Sequence, residues 1–324
     1  MRKNLFPVLV AVFLFLSSCS NSAALYSKEY PLMGTTVIIK SKNPEAISIA
    51  ASIIPELEAK WSVYIDSSEV SKINKYAGVK PVRVSRDTIH LLELSYQVYD
   101  ITQGRFDVSI GRLIELWGPF LREEKNDFPA QEKIQYILKN SGMDKIVVNN
   151  EAQTVFLKNR IVQINLGGIA KGYIVDKVVQ AFKNKGVESA LINAGGDIYC
   201  LGVKKGVEFW QVGIQSPDIL EGIMSTLELE NEAIATSGNY ERYFMHNGKI
   251  YGHIINPITG YPTEGDRESV TVVANNCTTA DSLATGFFVW GQTHVGNYLA
   301  SNKNTLKVFW VKAAGKKTSI HYLQ

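Results

Sequence analysis

The sequence has few cysteines and no block of like charge. Only 3 of its 324 residues are Cys, and none lies in a spacing typical of a thiolate metal site. The formal net charge is +3, and no run of five or more like charges occurs. The small net charge and the lack of charge runs argue against a nucleic-acid-binding protein. Any bound metal is expected to have oxygen ligands.

Long apolar runs are also absent, except near the N-terminus. There Leu5 to Leu16 follows two cationic residues and has the length of a signal-peptide core, too short for a permanent membrane span. It ends in Leu16-Ser17-Ser18-Cys19, which resembles a bacterial lipobox. We expect residues 1–18 to be a lipoprotein signal peptide and residues 19–29 a tether lipidated at Cys19. The alternative is an ordinary secretory peptide that is discarded together with Cys19.

This interpretation predicts an exported protein, lipid-anchored to a bacterial membrane and facing the periplasm or the cell exterior. Two cysteines, Cys200 and Cys277, then remain in the mature chain. An oxidising compartment permits a disulfide between them. Two buried free thiols are the favoured alternative.

Apolar spacing predicts helices and strands that do not alternate strictly. This pattern is typical of an α+β fold with mixed or antiparallel sheets and packed helices, here one domain over residues 30–324. The predicted helices are 44–61 (kinked or split at Pro55), 87–102, 129–140, 171–184 and 278–290. The predicted strands include 30–40, 145–149, 154–158, 161–164, 190–193 and 306–311.

Three glycine-containing turns follow predicted strands: Asn165–Gly172, Asn193–Asp197 and Thr236–Asn239. Glycine lets backbone N–H groups approach an anion, and the first turn also opens a helix beside Lys171. None of them matches GxGxxG or GxxxxGK[ST], so the dinucleotide and Walker motifs are absent. The turns are either plain tight turns or a phosphate site.

Asp281 and Thr285 are four residues apart and therefore share one helical face. A carboxylate and a hydroxyl together suit Mg²⁺ that also binds substrate phosphates. However, Thr278 and Asp281 also fit a capping box, which would assign Asp281 to the start of its own helix.

His253 ends an apolar segment just before an Asn-Pro-Ile-Thr-Gly turn. A general base could be presented there, although a hydrogen-bonded core or turn histidine is the simpler interpretation.

Taken together, these segments resemble the ApbE family of FAD:protein FMN transferases. The resemblance covers nearly the whole mature chain, and its specificity comes from the number and order of short motifs. They are Met33–Thr35, Tyr64 with Ser68–Asn74, Gly104–Ser109 with Leu116–Gly118, Asn165–Tyr173, Asn193–Asp197, Ala235–Gly238, His253–Pro262 and Thr279–Thr285.

The resemblance implies an ApbE-like, T-fold-related architecture and a set of site residues. Asp281, Thr285 and the carbonyl of Gly168 match the Mg²⁺ ligands of the family, and His253 matches its proposed base. The residues implied to line the FAD site are Met33, Tyr64, Arg105, Phe106, Asp107, Asn165, Lys171 and Ser237. Asn165 departs from the family, in which Asp is common, so we expect altered FAD affinity rather than lost activity.

The implied activity is Mg²⁺-dependent transfer of the FMN moiety of FAD to a Thr or Ser hydroxyl of an acceptor protein, with release of AMP. The acceptor could be a subunit of a membrane redox complex, and no nucleic-acid partner is expected. Two alternatives stay open: a Mg²⁺-dependent FAD pyrophosphatase that yields FMN and AMP, and a non-catalytic FAD-binding lipoprotein.

Overall fold

The computed structural model describes residues 25–121, 127–203, 209–217, 222–240, 242–302, 305–314 and 317–323. The predicted signal peptide, Cys19 and the tether as far as residue 24 lie outside these ranges. Across the described ranges, none of the helices combines the length and the apolar character needed to cross a membrane.

The described residues form eight α-helices and sixteen β-strands. The helices are α1 (Glu45–Trp61), α2 (Glu69–Lys75), α3 (Arg86–Ile101), α4 (Gly111–Trp117), α5 (Gln131–Asn140), α6 (Ala170–Asn184), α7 (Cys277–Trp290) and α8 (Gln292–Ser301). The first eight strands are β1 (Tyr26–Leu32), β2 (Thr35–Ser41), β3 (Val82–Arg83), β4 (Ile146–Asn149), β5 (Thr154–Leu157), β6 (Ala190–Ala194), β7 (Asp197–Leu201) and β8 (Trp210–Gln215). The others are β9 (Ile223–Leu229), β10 (Glu232–Gly238), β11 (Tyr243–His246), β12 (Lys249–Ile255), β13 (Pro262–Glu264), β14 (Arg267–Ala274), β15 (Lys307–Ala314) and β16 (Lys317–Leu323).

The main sheet has eight antiparallel strands in the order β1-β2-β6-β7-β10-β14-β15-β16. Its central strands are buried on both faces. Successive side chains point to opposite sides of the sheet, so alternate residues pack against two different layers. Ala235 and Val272 face the core that contains α6 and α7, whereas Ile234 and Val273 face Trp210 of the β8–β9 hairpin. The predicted α+β class with antiparallel sheets is confirmed.

The N-terminal hairpin begins earlier than the sequence predicts. β1 starts at Tyr26, so residues 26–29 of the expected tether pair with β2. Most of β1 is exposed at the sheet edge, so the strand lacks the apolar alternation that would reveal it. Met33 and Gly34 connect β1 to β2 at φ angles of 56° and 67°, as a two-residue type I′ turn requires.

Most predicted elements agree with the structure to within a few residues, but two differ. Residues 161–164 form no strand beyond a single bridge of Gln163 to Ile110, because side-chain amides occupy their N–H groups. Asn159 Oδ1 accepts from Ile161 and Val162, and Asn74 Oδ1 accepts from Ile164. Pro55 neither splits α1 nor ends it. The short helices α2, α4 and α8 were not predicted.

Cys200 and Cys277 are both buried free thiols, as favoured from the sequence. Burial raises the pKa of the Cys200 thiol to about 12, so this thiol stays protonated at neutral pH.

Candidate functional site

Helices α6 and α7 cross near their N-termini, and Asp281 bonds across the crossing. Its Oδ2 accepts a hydrogen bond from the backbone N–H of Gly172, in the first turn of α6, at 3.0 Å. The cap of α7 is Asn276, whose side chain accepts from Thr279 N at 2.8 Å. The interpretation of Asp281 as the cap of its own helix is therefore wrong, because Asn276 already satisfies that helix end.

Gly172 makes this crossing possible. A Cβ atom at this position would lie 2.4 Å from the carbonyl oxygen of Cys277 and 2.9 Å from the Cβ of Asp281. Because no side chain fits there, glycine lets the backbones of α6 and α7 approach closely. The glycine after Lys171 thus has a packing role as well as a place in the turn.

Lys171 lies between two buried carboxylates. Its ammonium forms an ion pair with Asp197, at the start of β7, and lies 3.7 Å from Asp281 Oδ1. Asp197 and Asp281 are only 3% and 4% exposed, so little solvent screens them. Burial opposes the charge of Lys171, but the two carboxylates outweigh it and hold the pKa of the ammonium above its ordinary value.

Thr285 lies one turn beyond Asp281 and contacts the glycine turn that precedes α6. A Cβ on Gly168 would lie 3.3 Å from Thr285 Oγ1 and 3.2 Å from the ring of Phe106. Thr285 Oγ1 is also 3.2 Å from Ser237 Oγ, because alternation along β10 turns Ser237 toward α7. The structure therefore brings together the turn at Gly168, Asp281, Thr285 and Ser237.

The oxygen atoms gathered here are of the kind that could hold a magnesium ion. They comprise one buried carboxylate, two hydroxyls and the backbone of the Gly168 turn, all hard donors. Among the described residues, no three His, Cys, Asp or Glu side chains cluster into a metal-binding group. A cation at Asp281 would therefore complete its ligand shell with water or substrate phosphates, as Mg²⁺ commonly does in nucleotide sites.

A cleft of about 1300 Å³ opens near the start of this glycine turn, and none of Gly168, Asp281, Thr285 and Ser237 lines it. Three predicted site residues line it: Tyr64, Asn165 and His253. Asn165 begins the turn that reaches Gly168 three residues later, so this turn joins the cleft to the Asp281 cluster. The cleft also carries cationic side chains suited to an anionic ligand, namely Lys75, Arg112, Arg160 and Arg242.

His253 lies on β12 with its ring held by a backbone contact. Nδ1 is 3.3 Å from the carbonyl oxygen of Arg242, and a carbonyl can only accept, so Nδ1 carries the proton. Nε2 is then unprotonated in the neutral ring. Desolvation lowers the pKa of His253, and the charges of Arg242 and Lys171 lower it further; together they outweigh the hydrogen bond to the Arg242 carbonyl, which raises it. The side chain is thus a neutral imidazole able to accept a proton.

The remaining predicted residues surround the site without lining the cleft. Met33 occupies the β1–β2 turn, where Arg242 donates to the carbonyl of Gly34 at 3.4 Å. Phe106 is 4% exposed and packs beneath Gly168, so it supports the turn from below. Arg105 lies over the ring of Trp290 at 5.9 Å.

Asp107 and Asn165 bond to their own loops. Asp107 Oδ1 accepts from Ser109 N at 2.7 Å, and burial raises the pKa of this carboxyl. Asn165 Oδ1 accepts from Gly167 N at 2.8 Å and so stabilises the turn.

Three residues near the site were not assigned a role from the sequence: Asp176, Asp197 and Arg242. Asp197 directly follows the Gly195-Gly196 turn, which was a weak signal for it. Arg242 and Asp176 reach the site only through tertiary contacts, so no local pattern could identify them.

Comparison with known proteins identifies the family of this chain. The model of the ApbE family matches residues 33–310. The chain belongs to the ApbE family. Among curated ApbE relatives, the FAD:protein FMN transferase of Haemophilus influenzae is 30% identical over 94% of this chain and 91% of its own. That of Treponema pallidum is 32% identical over 88% of this chain and 84% of its own.

Solved ApbE structures share the fold. The ApbE protein of Thermotoga maritima superposes with a TM-score of 0.82 and 32% identity, covering 93% of this chain and 97% of that one. The flavin transferase ApbE of Vibrio cholerae gives a TM-score of 0.81 at 27% identity, covering 93% and 98%.

Proposed function

We propose that this ApbE-family protein transfers the FMN moiety of FAD to a Thr or Ser hydroxyl of an acceptor protein in a Mg²⁺-dependent reaction and releases AMP. One arrangement carries the proposal: Asp281 and Thr285 lie against the start of α6 and the Gly168 turn, and Asn165, at the start of that turn, lines a cleft that His253 also lines. Relatives that cover nearly the whole chain are named FAD:protein FMN transferases.

The diphosphate of FAD suits the charges of the cluster. Asp281, Thr285 and the Gly168 carbonyl would hold Mg²⁺, and a bound Mg²⁺ would supply positive charge that offsets the negative charge of the phosphate oxygens. Lys171 adds a fixed positive charge, and Asp197 holds its ammonium in place. The N-terminal amides of α6 favour negative charge at the same point.

His253 supplies the base. Nε2 takes the proton of the incoming hydroxyl as the oxygen of that hydroxyl attacks the FMN-side phosphorus. The bond from this phosphorus to the oxygen of the AMP phosphate breaks, and AMP leaves. The product is a phosphoester between FMN and the acceptor. The lowered pKa of His253 keeps the imidazole neutral and ready to accept at neutral pH.

A product assay tests the proposal. The protein is incubated with FAD and Mg²⁺, with and without an acceptor polypeptide, and AMP and free FMN are quantified. The proposal predicts AMP release that depends on the acceptor, with FMN bound to it. Equal amounts of free FMN with and without acceptor would instead indicate a pyrophosphatase, and intact FAD in both samples would indicate a flavin carrier.

We further propose that Cys19 is lipidated after export, so that the enzyme works at a membrane surface on acceptors such as a subunit of a membrane redox complex. The lipobox after the apolar run supports this. In cells, Cys19→Ala should release the protein from the membrane fraction. Equal membrane retention of Cys19→Ala and wild type would contradict it.

A further inference from the structure

Helix α7 is fixed to α6 by a carboxylate that the proposed mechanism does not use. Asp176 lies in the second turn of α6 and accepts from the backbone N–H groups of Cys277 and Thr278 at 2.7 and 2.8 Å. The Thr278 hydroxyl donates to the same carboxylate. All three donors belong to the first two residues of α7, and in the described part of the chain no Lys, Arg or His forms an ion pair with Asp176.

Each of the two helices therefore binds the N-terminal end of the other through one carboxylate. Asp176 of α6 binds the start of α7, while Asp281 of α7 binds Gly172 at the start of α6. These contacts bracket one helical turn of α7, so they set both its position along α6 and its rotation about its own axis.

The rotation of α7 decides where its functional oxygen atoms lie. Cys277, Asp281 and Thr285 are spaced by four residues and share one face. Cys277 contacts Gly172, and Thr285 contacts Gly168. The residues of a helix keep fixed angles to one another, about 100° per residue. A rotation of α7 that displaces Cys277 would therefore also carry Asp281 and Thr285 away from the Gly168 turn.

We propose that Asp176 is a positioning residue: by holding the first turn of α7, it places Asp281 and Thr285 against the Gly168 turn so that their oxygens converge on one cation. This inference rests on the proposed function, since it concerns the same Mg²⁺ site. In this role Asp176 acts through α7 and is not itself a ligand of the ion.

The test compares Asp176→Asn with Asn276→Ala, a matched control. Both substitutions weaken the same end of α7, but Asn276 caps the helix internally, through Thr279 N. Among the described residues, its side chain forms no hydrogen bond with α6. Two quantities are measured on the purified protein: Mn²⁺ affinity by electron paramagnetic resonance, and hydrogen exchange in the segment 166–173.

For Asp176→Asn, Mn²⁺ binding should weaken about tenfold, the lower range for loss of a group that orients a metal ligand. The amides at the start of α6 should also exchange faster, because Asp281 no longer holds Gly172. Asn276→Ala should leave both quantities as in the wild type. Thr278→Val removes only the hydroxyl donor and should change Mn²⁺ affinity and hydrogen exchange in the same direction as Asp176→Asn. It provides a milder variant if Asp176→Asn folds poorly.

The proposal would be overturned if Asp176→Asn had the Mn²⁺ affinity and the hydrogen-exchange rates of the wild type. It would also be overturned if Asn276→Ala changed both quantities as much as Asp176→Asn does. The exchange comparison needs no metal. A wild-type protein that binds no Mn²⁺ would therefore count against the proposed function, while exchange would still decide whether Asp176 positions α7.

Discussion

The Asp281 carboxylate accepts the backbone N–H of Gly172 at 3.0 Å and so bonds to the start of a helix other than its own. One of its oxygen atoms is thereby fixed, while the other lies 3.7 Å from Lys171 Nζ. A buried carboxylate oriented in this way keeps lone pairs for a cation without needing to move. This arrangement links the packing of α6 and α7 to the proposed chemistry.

Asp281→Ala should abolish Mg²⁺-dependent turnover while FAD still binds weakly. The substitution removes the only carboxylate among the proposed ligands, but it leaves the cleft residues Tyr64 and Asn165 in place. Flavin fluorescence measures binding, and AMP release measures turnover. Turnover of Asp281→Ala at the wild-type rate would reduce Asp281 to a structural contact with Gly172.

His253→Ala should fold normally and lose transfer activity by roughly two powers of ten or more, the usual scale for loss of a general base. His321→Ala is the control, since His321 is exposed on β16, at the edge of the main sheet. A wild-type rate in His253→Ala would remove this residue from the mechanism.

The pH dependence of transfer should reflect the lowered pKa of His253. The base acts when neutral, so the rate should hold as pH falls toward the ordinary histidine value of 6.5 and decline only below it. The measurement is kcat/KM for FAD against pH at saturating Mg²⁺. A lower limb centred above pH 6.5 would contradict assignment of that limb to His253.

Gly172→Ala should separate α6 from α7, because the added methyl would meet the Cys277 carbonyl. We expect the free energy of unfolding to fall by about 1–3 kcal/mol, the usual cost of overpacking, and Mg²⁺-dependent activity to fall as well. Gly296→Ala is a suitable control: it lies in α8 with open space around it and should be neutral or slightly stabilising. Chemical denaturation of both variants checks this. An unchanged free energy of unfolding in Gly172→Ala would show that the helix crossing can accommodate the added methyl group.

Asn165→Asp should preserve the turn, since a carboxylate oxygen can accept from Gly167 N as the amide oxygen does. We therefore expect KM for FAD to change while kcat is retained. Steady-state kinetics over a range of FAD concentrations decides this. A large loss of kcat would show that the amide has a role in the chemical step.

The sequence predicted those parts of the fold whose apolar pattern is strong and local. Helices α3 and α6 bury one regular face each, so their periodicity showed them to within a few residues. Helix α7 is buried on nearly all sides, and its continuous apolar character showed it equally well. Strand β1 was missed in part because an exposed edge strand has no such pattern. Residues 161–164 were misassigned because their apolar character serves the core while Asn74 and Asn159 satisfy their backbone.

The candidate site likewise contains residues that local sequence identified and residues that it did not. Asp281, Thr285 and His253 were singled out by spacing and local context, and a family resemblance then suggested their roles. The partners that orient them were not accessible in this way. Asp176 lies about one hundred positions from Cys277 in the chain, and Arg242 contacts Gly34 across a still longer separation. Such contacts depend on the crossing of α6 and α7 and on the approach of Arg242, directly before β11, to the β1–β2 turn.

The most direct test is the location of a divalent cation in crystals soaked with Mn²⁺ and FAD. Anomalous diffraction should show a single strong peak within coordination distance of an Asp281 oxygen, Thr285 Oγ1 and the Gly168 carbonyl, with diphosphate oxygens completing the shell. A peak elsewhere on the protein, or a bound diphosphate with no metal beside Asp281, would contradict the account.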